Sequence, residues 1–179
     1  MNRREFVSTS FPLALPLGLA AQTDGTKNEV VERSRQAAID VLKPSRSQLE
    51  RGLQLHAASV VVESYGFSPR MAIDGDAMKA AMEAGASDAE IEDMREDMMM
   101  SRAADNAAER EEYVGAWRAA GVTCILQNAG EEGQDPMRLI KRLARFTYTT
   151  DMLSEHVSRA VTAGDVLEAK KRNKHCMMF

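Results

Sequence analysis

Two short apolar runs constrain this chain more than anything else in it. "SVVVESYGF" and "GVTCILQNAG" each follow a stretch with helical periodicity, and each ends in polar residues and glycine. A brief β-branched run of this kind, bounded by helices, is the pattern of a strand buried on both faces in a parallel sheet. Val60 to Val62 and Val122 to Leu126 are therefore expected to be strands, and "KHCMMF" at the end of the sequence reads as a third. The polar residues at their C-terminal ends stand where ligands bind in parallel α/β folds. Glu63, Tyr65, Asn128 and Glu131 are the candidate pocket residues.

The intervening segments carry helix signals. Ser47-Gln48-Leu49-Glu50 has the spacing of a capping box and predicts a helix through about Ala57, while Ser87-Asp88-Ala89-Glu90 predicts another. Within the latter, Ile91, Met94 and Met98 recur as one core-facing stripe. Eleven acidic residues between Glu83 and Glu112, against Arg95, Arg102 and Arg110, suggest solvated helix faces. Asp74 and Asp76 lack the twelve-residue calcium-loop pattern, so a helix N-cap is the expectation there. Gly121 ends a helix, Asp135-Pro136 starts one with an apolar face at Met137, Ile140 and Ala144, and a short helix fits Asp151 to Ala160. Thr162 with Asp165 opens the last, to about Lys171.

Composition removes some function classes. A net charge of -4 with 5% aromatic residues does not suit phosphate neutralisation or base stacking, so no nucleic-acid partner is expected. Cys124 and Cys176 are expected to be buried thiols, a single disulfide being the alternative. His56, His156 and His175 are scattered, and no zinc-ligand spacing is present.

The first residues have a different character. Arg3-Arg4-Glu5-Phe6-Val7 precedes an uncharged segment with an apolar centre at Phe11 to Ala21, too short for a membrane span. It resembles the twin-arginine export signal. Residues 1–22 then read as a signal peptide, 23–46 as a linker with a short helix around Val30 to Leu42, and 47–179 as the folded unit. The expected location is the periplasm or cell envelope.

From Ser47 onward, "LQLHAASVVVESYG", "AAGVTCILQNAG", "RLIKRLARFT" and "TAGDVLEAKKRNKHCMMF" in this order resemble the N-terminal part of the membrane (renal) dipeptidase family. Asp165, Val166, Ala169, Lys170 and Lys174 match a helix of that family, with Asn173 where glycine is usual. The resemblance implies a helix-rich, incomplete (β/α)8 TIM-barrel-like α/β fold with about three parallel strands, since a whole barrel takes about 250 residues. It also implies dipeptide hydrolysis at a zinc centre in the full-length family. Tyr65 and Phe67, however, stand where the family's first strand carries its zinc-binding His-x-Asp pair, and the family's bridging glutamate falls beyond Phe179. No zinc or other cofactor, and no catalytic residue, is therefore expected in this chain. A peptide-like small molecule is the expected ligand, or, in a non-enzymatic interaction module, a partner surface. The third strand is expected to leave an open edge for self-association through "CMMF".

Replacing Arg3 and Arg4 with lysine should retain the precursor in the cytoplasm. Cell fractionation checks this, and unchanged export would remove the signal assignment.

Overall fold

The computed structural model describes residues 29–179. The twin-arginine segment lies outside the described residues. Seven helices and four strands run in the order α1 (Glu29–Leu42), α2 (Arg46–Ala58), β1 (Val62–Gly66), α3 (Gly75–Glu83), α4 (Asp88–Asp105), α5 (Ala107–Ala120), β2 (Cys124–Gln127), α6 (Pro136–Met152), β3 (Val157–Arg159), α7 (Ala163–Lys171) and β4 (His175–Met178). The protein is thus α/β and rich in helix, with one parallel sheet in the order β1-β2-β4-β3. Among the described residues no helix is long and apolar enough to cross a membrane.

Local signals set most helix ends. Asp74 caps α3 by accepting from the Ala77 amide, and Ser87 with Glu90 closes a capping box on α4. Asn106 ends α4 and caps α5, and Gly121 then stops α5 at φ 64°. The positive φ calls for glycine, and the exposed His56 ring lies over the space a side chain would take. Asp135 with Pro136 starts α6, and Thr162 with Asp165 boxes α7. At α2 the box is Ser45 with Gln48, not Ser47 with Glu50, because Ser45 is the extended residue behind Pro44 and the helix begins a turn's fraction earlier.

Strand alternation divides the core. Ile125 and Met177 turn to one face, against Tyr113, Val114 and Trp117 of α5 and Phe146 of α6. Cys124 and Cys176 turn to the other, against Val166 and Ala169 of α7. They are register partners on adjacent strands and are free, fully buried thiols. Their mutual hydrogen bond and burial push the Cys176 thiol up and keep it protonated.

Several expectations change. Among the described residues there are four strands rather than three, because α6 runs on through Asp151 to Met152 and the chain then turns into β3, too short at three residues to show a period. β3 takes the outer place, so β4 is interior and "CMMF" does not lie on an open edge: Cys176 and Met177 are fully buried. The edges are β1 and β3. The apolar run at β1 is not buried on both faces; Val60 and Val62 are exposed, since β1 has one sheet neighbour and neither α1 nor α2 buries a residue.

The largest change concerns α4 and α6, whose faces are rotated from the apolar reading. Ile91, Met94 and Met98 are half-buried while Glu96, Met99 and Ala103 go inward. On α6, Met137, Ile140 and Ala144 are exposed and Arg145, Phe146, Thr149 and Thr150 are buried. The reason is an ionic seam. Glu96, 4% exposed, accepts from Arg142 Nη2 at 2.7 Å and from Arg145 Nη1 at 3.2 Å, and also pairs with Arg138. Asp93 takes Lys141 at 2.7 Å and Arg145 at 2.7 Å, and Asp97 takes Arg145 Nε at 3.2 Å. Below the seam Thr149 Oγ1 donates to the Met100 carbonyl at 2.7 Å. Glu96 and half-buried Asp93 therefore form a docking face, while Glu83, Asp88, Glu90, Asp97, Asp105, Glu111 and Glu112 lie on exposed faces as expected.

Burial alone would push the Glu96 carboxyl up, but hydrogen bonds from Arg142 and Arg138 overcome it and hold the carboxyl below the ordinary range. Hydrogen bonds from Lys141 and Arg145 hold Asp93 low as well. A carboxyl that titrates lower when folded contributes stability in full above its unfolded value, about 4, and loses it as pH falls through the folded value. Acid should therefore unfold the protein through this seam. Glu96→Gln leaves three arginines around an uncharged amide and should cost about 3–5 kcal/mol at neutral pH. Urea denaturation followed at pH 7 and below pH 4 checks both; the variant should also show a weaker acid dependence.

Candidate functional site

The C-terminal ends of β1 and β2 open into a cleft whose far wall is the α4/α6 seam. Its lining includes Phe67, Ser68, Arg70, Arg95, Glu96, Gln127, Asn128, Glu131 and Arg142. β1 reaches it irregularly. Val62 and Glu63 pair with Cys124 and Ile125, but Gly66 pairs with Gln127, so β1 spends one residue more than β2 over the same span. Such a bulge on an edge strand breaks the alternation and re-aims the side chains beyond it. The residue that permits it is Gly66: a Cβ there would run into the Glu63 side chain and the Ile125 methyl.

The four predicted pocket residues separate. Asn128 and Glu131 line the cleft. Tyr65 stands at the rim, 72% exposed, where its hydroxyl accepts from Asn128 Nδ2 at 3.1 Å. Glu63 is not in the cleft; the bulge folds it back along the strand, and its Oε1 accepts from the Tyr65 amide at 3.2 Å. Glu131 faces Arg142 Nη1 at 3.6 Å.

Residues that sequence reasoning missed do much of the construction. Gln127, 7% exposed, accepts the Ser68 amide at 2.7 Å and donates to the Asn128 carbonyl at 2.9 Å, so it ties the segment after β1 to the end of β2. That segment holds Phe67 and Arg70, whose guanidinium lies 5.5 Å from the centre of the Phe67 ring, within cation–π range. Phe67 in turn meets Tyr65 edge to face at 6.4 Å. The available signals were the amide pair "QN" ending one apolar run and "FSPR" closing the other, where proline fixes the turn. Across the cleft, a hydrogen bond to Glu92 raises the Arg95 guanidinium still further above its usual value, so it stays charged.

The zinc centre implied by the resemblance does not fit these residues. Phe67 offers no donor, and the Tyr65 hydroxyl is engaged with Asn128. All three histidines lie at the opposite end of the strands: His56 against Gly121, His156 ahead of β3, and His175 beginning β4 with Nδ1 donating to the Val122 carbonyl at 2.6 Å. Among the described residues no group of three His, Cys, Asp or Glu side chains is placed to hold a metal ion. The cleft presents guanidinium, amide, carboxylate and aromatic surface.

No family model, curated protein or solved structure matches the chain.

Equilibrium dialysis of the purified chain against micromolar zinc should give well under one equivalent bound, because catalytic zinc sites use three protein ligands. Retention of one equivalent after dialysis would contradict this reading of the cleft.

Proposed function

We propose that this chain is a non-catalytic relative of the membrane dipeptidases, corresponding to the N-terminal part of their barrel, that binds a peptide-like small molecule at the strand ends. The observation carrying the proposal is the cleft itself. It sits at the C-terminal ends of parallel strands, where α/β folds place ligands, and it presents Asn128 and arginines. Asn128 keeps a second amide hydrogen free of its bond to Tyr65, suited to a carbonyl of a peptide group.

Three adjacent parallel strands support the barrel part of the proposal: β1, β2 and β4, the three expected from sequence, stand side by side as the opening strands of a barrel would. β3, which precedes β4 in the chain but lies outside it, departs from the sequential order of a barrel. On this reading β1 and β3 offer the edges through which the sheet extends or a second copy associates. Export by the folded-protein route belongs to the same proposal and rests on Arg3 and Arg4.

Dipeptides and N-blocked amino acids, titrated into the labelled chain and followed by NMR, should shift the resonances of residues at the strand ends. Asn128→Leu should weaken binding at least tenfold while lowering the melting temperature only slightly, through loss of the bonds to Tyr65 and the Gly130 amide. Incubation of a dipeptide with the chain and added zinc should release no amino acids. Hydrolysis would restore the enzymatic reading, and the absence of binding by every compound would overturn the proposal.

A further inference from the structure

The charges lining the cleft are not equally free. Arg95 is engaged with Glu92 at 2.7 Å, and Arg142 with Glu96 at 2.7 Å and Glu131 at 3.6 Å. Glu96 is shared among three arginines. Among the described residues lining the cleft, Arg70 alone has no carboxylate partner; its guanidinium is exposed and held over the Phe67 ring. Stacking on an aromatic face leaves the guanidinium's edge donors open, and a paired fork of N–H groups matches a carboxylate. Conversely, both lining carboxylates already face arginine, so a ligand ammonium would find no unpaired partner.

We infer that the cleft takes a small organic monoanion with no free amino group, an N-blocked amino acid in chemical class, whose carboxylate docks on Arg70. The inference rests on the ligand-binding reading above and adds the ligand's charge and its anchor. Phe67, 53% exposed beside Tyr65, supplies an apolar surface for the ligand's side chain, and the spare Asn128 amide hydrogen meets the blocking carbonyl. Arg70 is a specificity-determining contact, and because it is exposed and bonded to no other element, replacing it leaves the fold intact.

Calorimetric titration of the full chain with N-acetylphenylalanine, N-acetylphenylalaninamide and glycylphenylalanine tests this. The acid should bind at least tenfold more tightly than the amide and than the zwitterionic dipeptide, and more weakly as salt is raised. Arg70→Gln should abolish the preference for acid over amide, and Arg70→Lys should keep part of it, with unchanged circular dichroism melting in both. Equal affinities for acid and amide, or a preference surviving Arg70→Gln, would overturn the anchor. Dipeptide binding as tight as that of the N-blocked acid would overturn the charge assignment while leaving the cleft reading intact. Binding of none of the three would overturn it outright.

Discussion

Glu96 is a carboxylate placed where a carboxylate is costly, and the arrangement of the helical layer depends on how that cost is met. An ion removed from water loses several kcal/mol of solvation, which a single partner in imperfect geometry does not return. α6 meets it with three guanidinium groups spaced along one face, at Arg138, Arg142 and Arg145. Charged hydrogen bonds of this kind are directional, so the seam fixes rotation and axial position of α6 on α4 more sharply than apolar packing would. Once α6 is set, Phe146 falls into the core against Phe179 at 5.4 Å, and Arg142 becomes a wall of the cleft. Met137, Ile140 and Ala144 are turned outward by the same rotation.

The opposite wall depends on a weaker element. β1 is an edge strand with little cover, and its bulge shifts Tyr65, Phe67 and Arg70 off the alternation that a regular strand would impose. The displaced segment is held by Gln127, a buried amide using both ends, by the Tyr65 contact to Asn128, and at its far end by buried Met71, whose amide donates to the Met99 carbonyl at 3.0 Å. The cleft thus joins a rigid charged wall to a rim tied by a few neutral hydrogen bonds, each worth about 1 kcal/mol. A ligand spanning both would order the rim against the wall.

How much was legible in the sequence divides along the range of the interaction. Asp74, Ser87 with Glu90, Gly121, Asp135 with Pro136, and Thr162 with Asp165 act within one turn of chain, and each does what its spacing predicts. The helical faces were misread because periodicity cannot show that Glu96 has partners more than forty positions away. Spacing likewise offers nothing to mark β3, whose place outside β4 moved "CMMF" from edge to interior. Of the candidate pocket residues, Asn128 and Glu131 line the cleft after β2, where the rule of strand ends puts them. Glu63 was lost to a one-residue bulge that only the facing strand reveals.

The ionic seam has a consequence for how such a sequence can change. Positions 93, 96 and 97 on α4 share their partners with 138, 142 and 145 on α6, so the free energy of any one substitution depends on the state of the others. A charge lost from one helix becomes tolerable only after a compensating loss on the other. Substitutions on the two helices, far apart in the sequence, should therefore compensate one another in pairs.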